Sequence, residues 1–356
     1  MIGLAAVRGP PPRQGPPSRH TSYRRYTRRV SRYPLLADVV AARHRLRGIA
    51  LHTPLEASPR LAEESGAAEA RLKLELLQPT GAFKTRGAHN KVALVAAEQP
   101  DAALVTASTG NHGIAVATAA ARHGMRLTVL VGASITPAKL ERLRAFESDH
   151  CTVEIHGRGP DEAEAEARRR HDDGRAVYVS PYNDPDVVAG QGTVAAEILD
   201  DWPECDAIVV PVGGGGLIAG IGLWAKAVRP SLRLVGVQPA ASPTVYAYLA
   251  SGSTKPMPIA PTLADAVAGN NERDSITWRM CRQLVDEVIV VDEEQIADAM
   301  AWLVDVHRLV AEGSGALPLA ALRAGLGSLG GRRVAAVISG RNVDIGTLRE
   351  VLARDA

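Results

Sequence analysis

The chain has 356 residues, enough for one large domain or two lobes with a substantial core. Its 46% apolar and 22% charged residues are ordinary for a soluble protein, and no apolar run approaches the ~20 residues of a membrane span. The formal charge of +2 includes eight arginines before Pro34. The remainder therefore carries −6, which argues against a nucleic-acid-binding core.

Residues 1–33 are rich in Pro and Arg without apolar periodicity, so they read as a disordered extension. A targeting peptide would share the Arg and Ser/Thr bias, but the prolines spoil its amphipathicity. Cys151, Cys205 and Cys281 are odd in number and widely spaced, as expected of reduced thiols in a cytoplasmic protein.

From Leu35 the pattern becomes regular. A helix is predicted over 35–46, followed by an extended HTPLEAS segment and an alternating strand at 71–77. A helix over 82–97 follows the Pro79–Gly81 turn. Strands are predicted at 103–108 and 127–132, with helices up to His123 and over 137–146. CTVEIHG, a Glu/Arg-rich helix and AVYVS continue the alternation. It resumes at Val187 with a helix, then AIVVP, LRLVGV and VAAVIS as strands. Short apolar strands alternating with helices imply an α/β architecture with parallel sheets covered on both faces. The quick strand–helix units suggest a small domain at 103–183, inserted into a larger one made of 34–102 and 184–356.

Four segments carry chemistry. In Gln78-Pro-Thr-Gly-Ala-Phe83-Lys84 a lysine opens a small-residue helix. The helix dipole and partial burial would lower its pKa and favour the neutral amine. Taken singly, it could equally be a surface lysine. Thr106 to Gly113 (TASTGNHG) runs from a strand end into a helix, where free amides and hydroxyls suit a carboxylate. The bland alternative is an N-cap by Ser108 or Thr109. Gly213, Gly214, Gly215 and Gly216 stand between an apolar strand and a helix, where the backbone could wrap a phosphate. A dinucleotide loop is the weaker reading, because the run is not GxGxxG with a later acidic residue. Val337 to Asn342 (VISGRN) ends a strand in a hydroxyl that could face a heterocyclic nitrogen; by itself it is only a turn.

In this order and spacing, the four segments resemble the fold-type II family of pyridoxal 5'-phosphate enzymes, over roughly Leu35 to the end. The nearest branch is similar to the threonine/serine dehydratases, including serine racemases and hydroxyectoine-utilisation dehydratases. The resemblance implies a two-lobed fold like the tryptophan synthase β chain, a homodimer and an amino-acid substrate. It implies Lys84 as the covalent cofactor lysine and catalytic base, with Phe83 near the ring and Asn111 on the phenolic oxygen. It places Gly213 to Gly216 on the phosphate and Ser339 at the pyridine nitrogen. Ser108, Thr109, Gly110 and His112 would line the substrate carboxylate pocket, and Thr109 could act as the second-face acid/base. Glu312 and Asp265 would edge the cofactor and substrate sites.

Three departures stand out. Arg341 and Ala266 replace common glycines, and Thr109 stands where serine racemases use serine. Gln238 and Thr244 occupy positions where some relatives have acidic metal ligands, so no metal is expected there. The expected activity is loss of water from L-threonine, L-serine or a related β-hydroxy-amino acid, giving a 2-oxo acid and ammonia. Other β-elimination, β-replacement or racemase activity is the alternative on the same scaffold. An NAD-binding dehydrogenase, or a binding protein whose arginine tail contacts an acidic partner, is the alternative of a different class. With the catalytic body nearly filling the chain, biosynthetic feedback regulation is not expected.

Overall fold

The structure, a computed structural model, describes residues 32–325 and 327–354. The predicted tail lies outside the described residues up to position 31. Among the described residues ten strands form two sheets: β1 (Leu55–Ala57), β2 (Glu69–Lys73), β3 (Leu104–Ala107), β4 (Leu127–Val131), β5 (Cys151–Ile155), β6 (Val177–Tyr178), β7 (Ala207–Pro211), β8 (Arg233–Pro239), β9 (Glu287–Val291) and β10 (Arg333–Val337). The six-stranded sheet runs β1-β2-β10-β7-β8-β9 and the four-stranded sheet β5-β4-β3-β6.

The apolar runs become strands because both faces of the large sheet are buried. Ala207 and Val209 share one core with Val334 and Ala336, while Ile208 and Val210 share the opposite core with Ala335 and Val337. Successive side chains alternate between faces, so a doubly covered strand must be apolar throughout. Pairing is parallel from β2 through β10, β7, β8 and β9, and throughout the small sheet.

Two expectations are corrected. β1 pairs antiparallel with β2, whereas the other paired strands given above run parallel. It lies at the sheet edge, joined to β2 through the short helix Pro59–Ser65. The strand expected at 71–77 stops at Lys73, and Glu75–Leu77 turns as a 3₁₀ helix. That turn carries the buried Glu75 carboxylate to the Arg86 guanidinium, at 2.7 Å, a partner a continued strand would miss.

In a parallel sheet every strand delivers its carboxyl end to the same edge, and ligands bind in the crevice there. The four chemical segments follow the carboxyl ends of β2, β3, β7 and β10. Chain direction alone therefore brings them to one region.

Candidate active site

A cavity of about 300 Å³ opens at these strand ends. Phe83, Lys84, Ser108, Thr109, Gly110, Asn111, His112, Gly213, Gly214, Gly215, Gly216, Asp265, Glu312 and Ser339 all line it. Every residue singled out for the site in the sequence thus reaches a single hollow.

Lys84 is the first residue of the helix Lys84–Glu98. The turn before it closes through Gly81 N–H to the Gln78 carbonyl at 2.7 Å, with Gly81 at φ +78°, a conformation that favours glycine. Phe83 N–H donates to the Ser339 carbonyl at 3.0 Å, fixing the lysine segment to the end of β10. The Lys84 amine donates to the Pro181 carbonyl at 2.6 Å and lies 5.1 Å from the Phe83 ring centre. Desolvation pulls its pKa down to about 8, although the Glu312 charge opposes the shift. An ordinary lysine titrates near 10.5, so at pH 7 Lys84 holds roughly 300-fold more neutral amine. Pulsed acylation of the cofactor-free chain, read by peptide mapping, should label Lys84 ahead of surface lysines with a midpoint near pH 8.

Gly213 to Gly216 join β7 to the helix Gly216–Val228, whose N-cap Gly215 is left-handed at φ +84°. The loop is glycine because nothing larger fits. A Cβ on Gly214 would lie 2.2 Å from the Tyr182 ring, and one on Gly213 or Gly216 would lie 3.0 Å from the backbone of Val267 or Tyr182. Thr277 Oγ1 donates to the Gly214 carbonyl at 2.7 Å and pins the loop. With no side chain capping the helix, its first-turn amides remain for an anion. Gly214→Ala should weaken cofactor binding by about tenfold to a hundredfold, from an overpacking cost of ~1–3 kcal/mol. Titration with pyridoxal phosphate reads this, and adding Tyr182→Ala should recover part of the loss.

The helix Asn111–His123 brings a second uncapped N-terminus to the cavity. Its N-cap is Gly110, and no side chain caps it, so Ser108 and Thr109 are not the plain caps they could have been. Instead Ser108 Oγ accepts from Gly110 N–H at 3.3 Å, and both hydroxyl residues face the cavity. His112 bonds the Val179 carbonyl through Nε2 at 2.9 Å. A carbonyl only accepts, so the hydrogen sits on Nε2. Burial, then the Lys84 charge, pushes the ring's pKa down to about 3 despite that bond, and His112 is neutral.

A polar relay ties three of the segments together. Asn342 Nδ2 donates to the Thr80 carbonyl at 2.9 Å and to Asn111 Oδ1 at 2.7 Å. Asn111 Nδ2 donates in turn to Glu312 Oε1 at 2.7 Å. Burial and then repulsion from Asp265 raise the Glu312 carboxyl to about 7, against the Asn111 bond. Asp265 is exposed at the cavity mouth, where Lys139 Nζ bonds it at 2.5 Å.

The departures from the family pattern have physical accounts. Among the described residues only Arg308 has a positive φ without being glycine. Arg341 and Ala266 thus stand where glycine's freedom is not needed, and Arg341 N–H bonds the Gly81 carbonyl at 2.9 Å. Gln238 donates to the Val212 carbonyl at 3.2 Å and to Thr244 at 3.4 Å, and accepts from Tyr246 N–H at 2.9 Å. Its amide is thus spent inside the protein.

Tyr182, Asn342, Lys139 and Glu164 also line the cavity without having been expected. Tyr182 had a faint signal, as an aromatic in a sequence with few of them. Lys139 and Glu164 sit on the helices Pro137–Arg144 and Pro160–Asp172 among other charges, and nothing in the sequence distinguishes them.

A family model for pyridoxal-phosphate-dependent enzymes matches residues 47–340. An L-threonine ammonia-lyase of Thermotoga maritima is 38% identical over 317 residues, which is 89% of this chain and 78% of that protein. This chain belongs to the threonine/serine dehydratase family of pyridoxal-phosphate enzymes. The catabolic L-threonine dehydratase of Escherichia coli is 32% identical over 316 residues, 88% of this chain and 94% of that one. The structure of maize serine racemase superposes with a TM-score of 0.82 at 31% identity, covering 91% of this chain and 98% of that one. The architecture is therefore that of fold-type II enzymes, and pyridoxal 5'-phosphate is the cofactor of this family.

The residues fit that group. A phosphate needs backbone amides approached without Cβ atoms, which the four glycines supply. An aldehyde needs a neutral amine, which Lys84 supplies near neutral pH. The dinucleotide reading of the glycine run is set aside with the family assignment.

Proposed function

We propose that the chain is an ammonia-lyase that removes water from L-threonine, L-serine or a related β-hydroxy-amino acid. The observation that supports this reading is that the Lys84 amine, the four glycines and the Ser108 to His112 segment all line one cavity. When bound, the cofactor supplies an electron sink for charge developing at Cα.

The chain's own residues do the rest. Gly213 to Gly216 hold the phosphate, Phe83 packs near the ring, and Ser339 offers a neutral hydroxyl to the ring nitrogen. Asn111 and Glu312 edge the cofactor. Ser108, Thr109, Gly110 and the uncapped first turn orient the substrate carboxylate. His112 stiffens that turn through its bond to Val179. The Lys84 amine takes the Cα proton onto Nζ. The β-hydroxyl then leaves as water with the proton that Nζ took from Cα, and the resulting enamine hydrolyses to the 2-oxo acid and ammonia. Asp265, paired with Lys139 at the mouth, would narrow access to the substrate.

Residues 103–183, which contain the four-stranded sheet, would form the small domain, with 34–102 and 184–356 holding the cofactor. A cytoplasmic location fits the buried Cys151, Cys205 and Cys281, none of them in a disulfide, and a homodimer is expected from the family resemblance. Among the described residues no helix is long and apolar enough to cross a membrane.

The likeness to maize serine racemase favours racemisation as the second reading. It needs an acid on the ring face opposite Lys84, and the Thr109 hydroxyl is the candidate. Incubation with L-threonine and L-serine, scoring 2-oxo acid, ammonia and D-amino acid, separates the two. Oxo acid and ammonia in equal amounts support the lyase. D-amino acid without ammonia would replace it with the racemase.

A further inference from the structure

We propose that Glu272 is a positioning residue of the active site, fixing the segment 181–183 on which both the Lys84 amine and the glycine cradle rest. The inference rests on the reading of Lys84 and Gly213 to Gly216 as the cofactor site, and adds the residue that aligns them.

Residues 181–183 follow β6 and touch both ends of that site. The Pro181 carbonyl accepts from Lys84 Nζ at 2.6 Å. Tyr182 lines the cavity, and its ring lies so close to Gly214 that a Cβ there would meet it at 2.2 Å. Its backbone would meet a Cβ on Gly216 at 3.0 Å. A shift of this short segment therefore moves the partner of the amine and the support of the phosphate loop together.

Glu272 holds the segment through both its backbone and its side chain. Its N–H donates to the Tyr182 hydroxyl at 2.9 Å, and Asn183 Nδ2 donates to its Oε2. Asn183 Oδ1 accepts from Ile276 N–H at 3.0 Å, so both ends of that amide are fixed. Glu272 is itself tied to both sheets. Its carbonyl accepts from Trp278 Nε1 at 2.7 Å, and Trp278 shares a core with Ile208 and Val210 of β7. Its Oε1 meets Arg168 Nη2 at 3.0 Å, and the same Nη2 bonds Glu164 at 2.8 Å. Arg168 lies on the helix Pro160–Asp172, whose Ala163 and Ala167 pack against Val105 of β3 and Leu130 of β4. The Glu272 side chain is 7% exposed, and a carboxyl so buried needs fixed partners to offset its desolvation. Glu272 is not part of the cavity wall, so it acts on the chemistry through Tyr182 and Asn183.

The test compares Glu272→Ala and Glu272→Gln with wild type, as full-length protein. Lys84 is pulse-acylated in the cofactor-free chain across a pH series, pyridoxal phosphate affinity is titrated, and melting is followed. In Glu272→Ala the loosened segment should admit water to the amine. The Lys84 midpoint should then rise from near pH 8 by about one pH unit, while exposed Lys255 keeps its own. Pyridoxal phosphate should bind roughly tenfold more weakly, as expected from one lost hydrogen bond in a buried site. Burial raises the Glu272 carboxyl to about 8, with Arg168 and Asn183 opposing and Glu164 adding to the rise, so it is protonated at pH 7. Glutamine keeps the shape of that form and an acceptor for Asn183, so Glu272→Gln should stay close to wild type in both readouts. Where Glu272→Ala does not fold, Asn183→Ala cuts the same link from the other side and should move both readouts in the same direction. An unmoved midpoint with unchanged affinity would overturn the proposal, as would a glutamine variant as impaired as alanine. A lower melting temperature alone, with Lys84 unmoved below the transition, would also overturn it, since Glu272 would then serve only the fold. Wild-type protein that takes up no pyridoxal phosphate would overturn the cofactor-site reading and this inference with it; normal uptake with an indifferent variant overturns this inference alone.

Discussion

Lys84→Ala should lower turnover of a β-hydroxy-amino acid by roughly 10⁴-fold or more while leaving the fold intact. Two losses combine in this variant. On the proposed reading the amine would be both the nucleophile that attaches the cofactor and the base that receives the Cα proton, a role typically worth about 10²- to 10⁴-fold alone. Its geometry explains why the fold should tolerate the change. The Lys84 ammonium makes one hydrogen bond, to the Pro181 carbonyl, and burial already disfavours its charge. Removing it therefore relieves desolvation while sacrificing a single contact. Melting temperature should stay close to wild type, and pyridoxal phosphate should still bind reversibly through the glycine cradle. Borohydride should no longer trap the cofactor at residue 84. Retained turnover in Lys84→Ala would sink the assignment, whatever the fold does. Lys84→Arg should be equally inactive, because a guanidinium stays protonated and cannot take the proton.

Much of this site was legible because its signals are local. Four glycines after an apolar strand, or a lysine after a Pro–Thr–Gly turn, state their chemistry within a few residues. The parallel order of the sheet then gathers them, since each follows the carboxyl end of a strand. The edge strand was less legible. β1 is only three residues long, and its antiparallel pairing follows from the connection through Pro59–Ser65, not from its own side chains. The break after Lys73 was hidden for a different reason. Leu72, Leu74 and Leu76 keep a strand-like alternation, yet Glu75 turns away to reach an arginine eleven residues on. Asn342 illustrates the remaining gap. It acts through neighbours hundreds of positions distant, and no local pattern reports such contacts. Asn342 needs Thr80 and Asn111 to be placed before its amide has a purpose.

Arg86→Met should cost about 3–5 kcal/mol of stability, the expected loss when one member of a buried ion pair is removed. Arg86 stands two residues after Lys84 and is 1% exposed. Its Nε and Nη2 bond the two oxygens of Glu75 at 2.7 Å each, while Nη1 and Nη2 bond Glu197 at 2.6 and 2.7 Å. Lys73, fully buried, adds a bond to Glu197 at 2.6 Å, so two cations balance two carboxylates. Methionine would fill much of the volume but leave Glu75 and Glu197 facing Lys73 alone. Arg86→Lys would keep the charge yet lose the forked geometry, and should fall between methionine and wild type. The pH dependence distinguishes this from a packing defect. Burial pushes the Glu197 carboxyl up, but the bonds and charge of Arg86, followed by those of Lys73, outweigh it and hold the pKa below 4.5. A carboxylate whose folded pKa is depressed contributes stability that is present above its unfolded value and lost as pH falls through the folded one. Wild type should therefore lose this contribution below about pH 4.5, and Arg86→Met should show a shallower acid limb there. Urea midpoints measured from pH 7 down to pH 3 on both proteins read the difference. Parallel acid limbs would mean that the guanidinium fills space without stabilising the carboxylates, and that the strand end and the lysine helix are joined by packing alone.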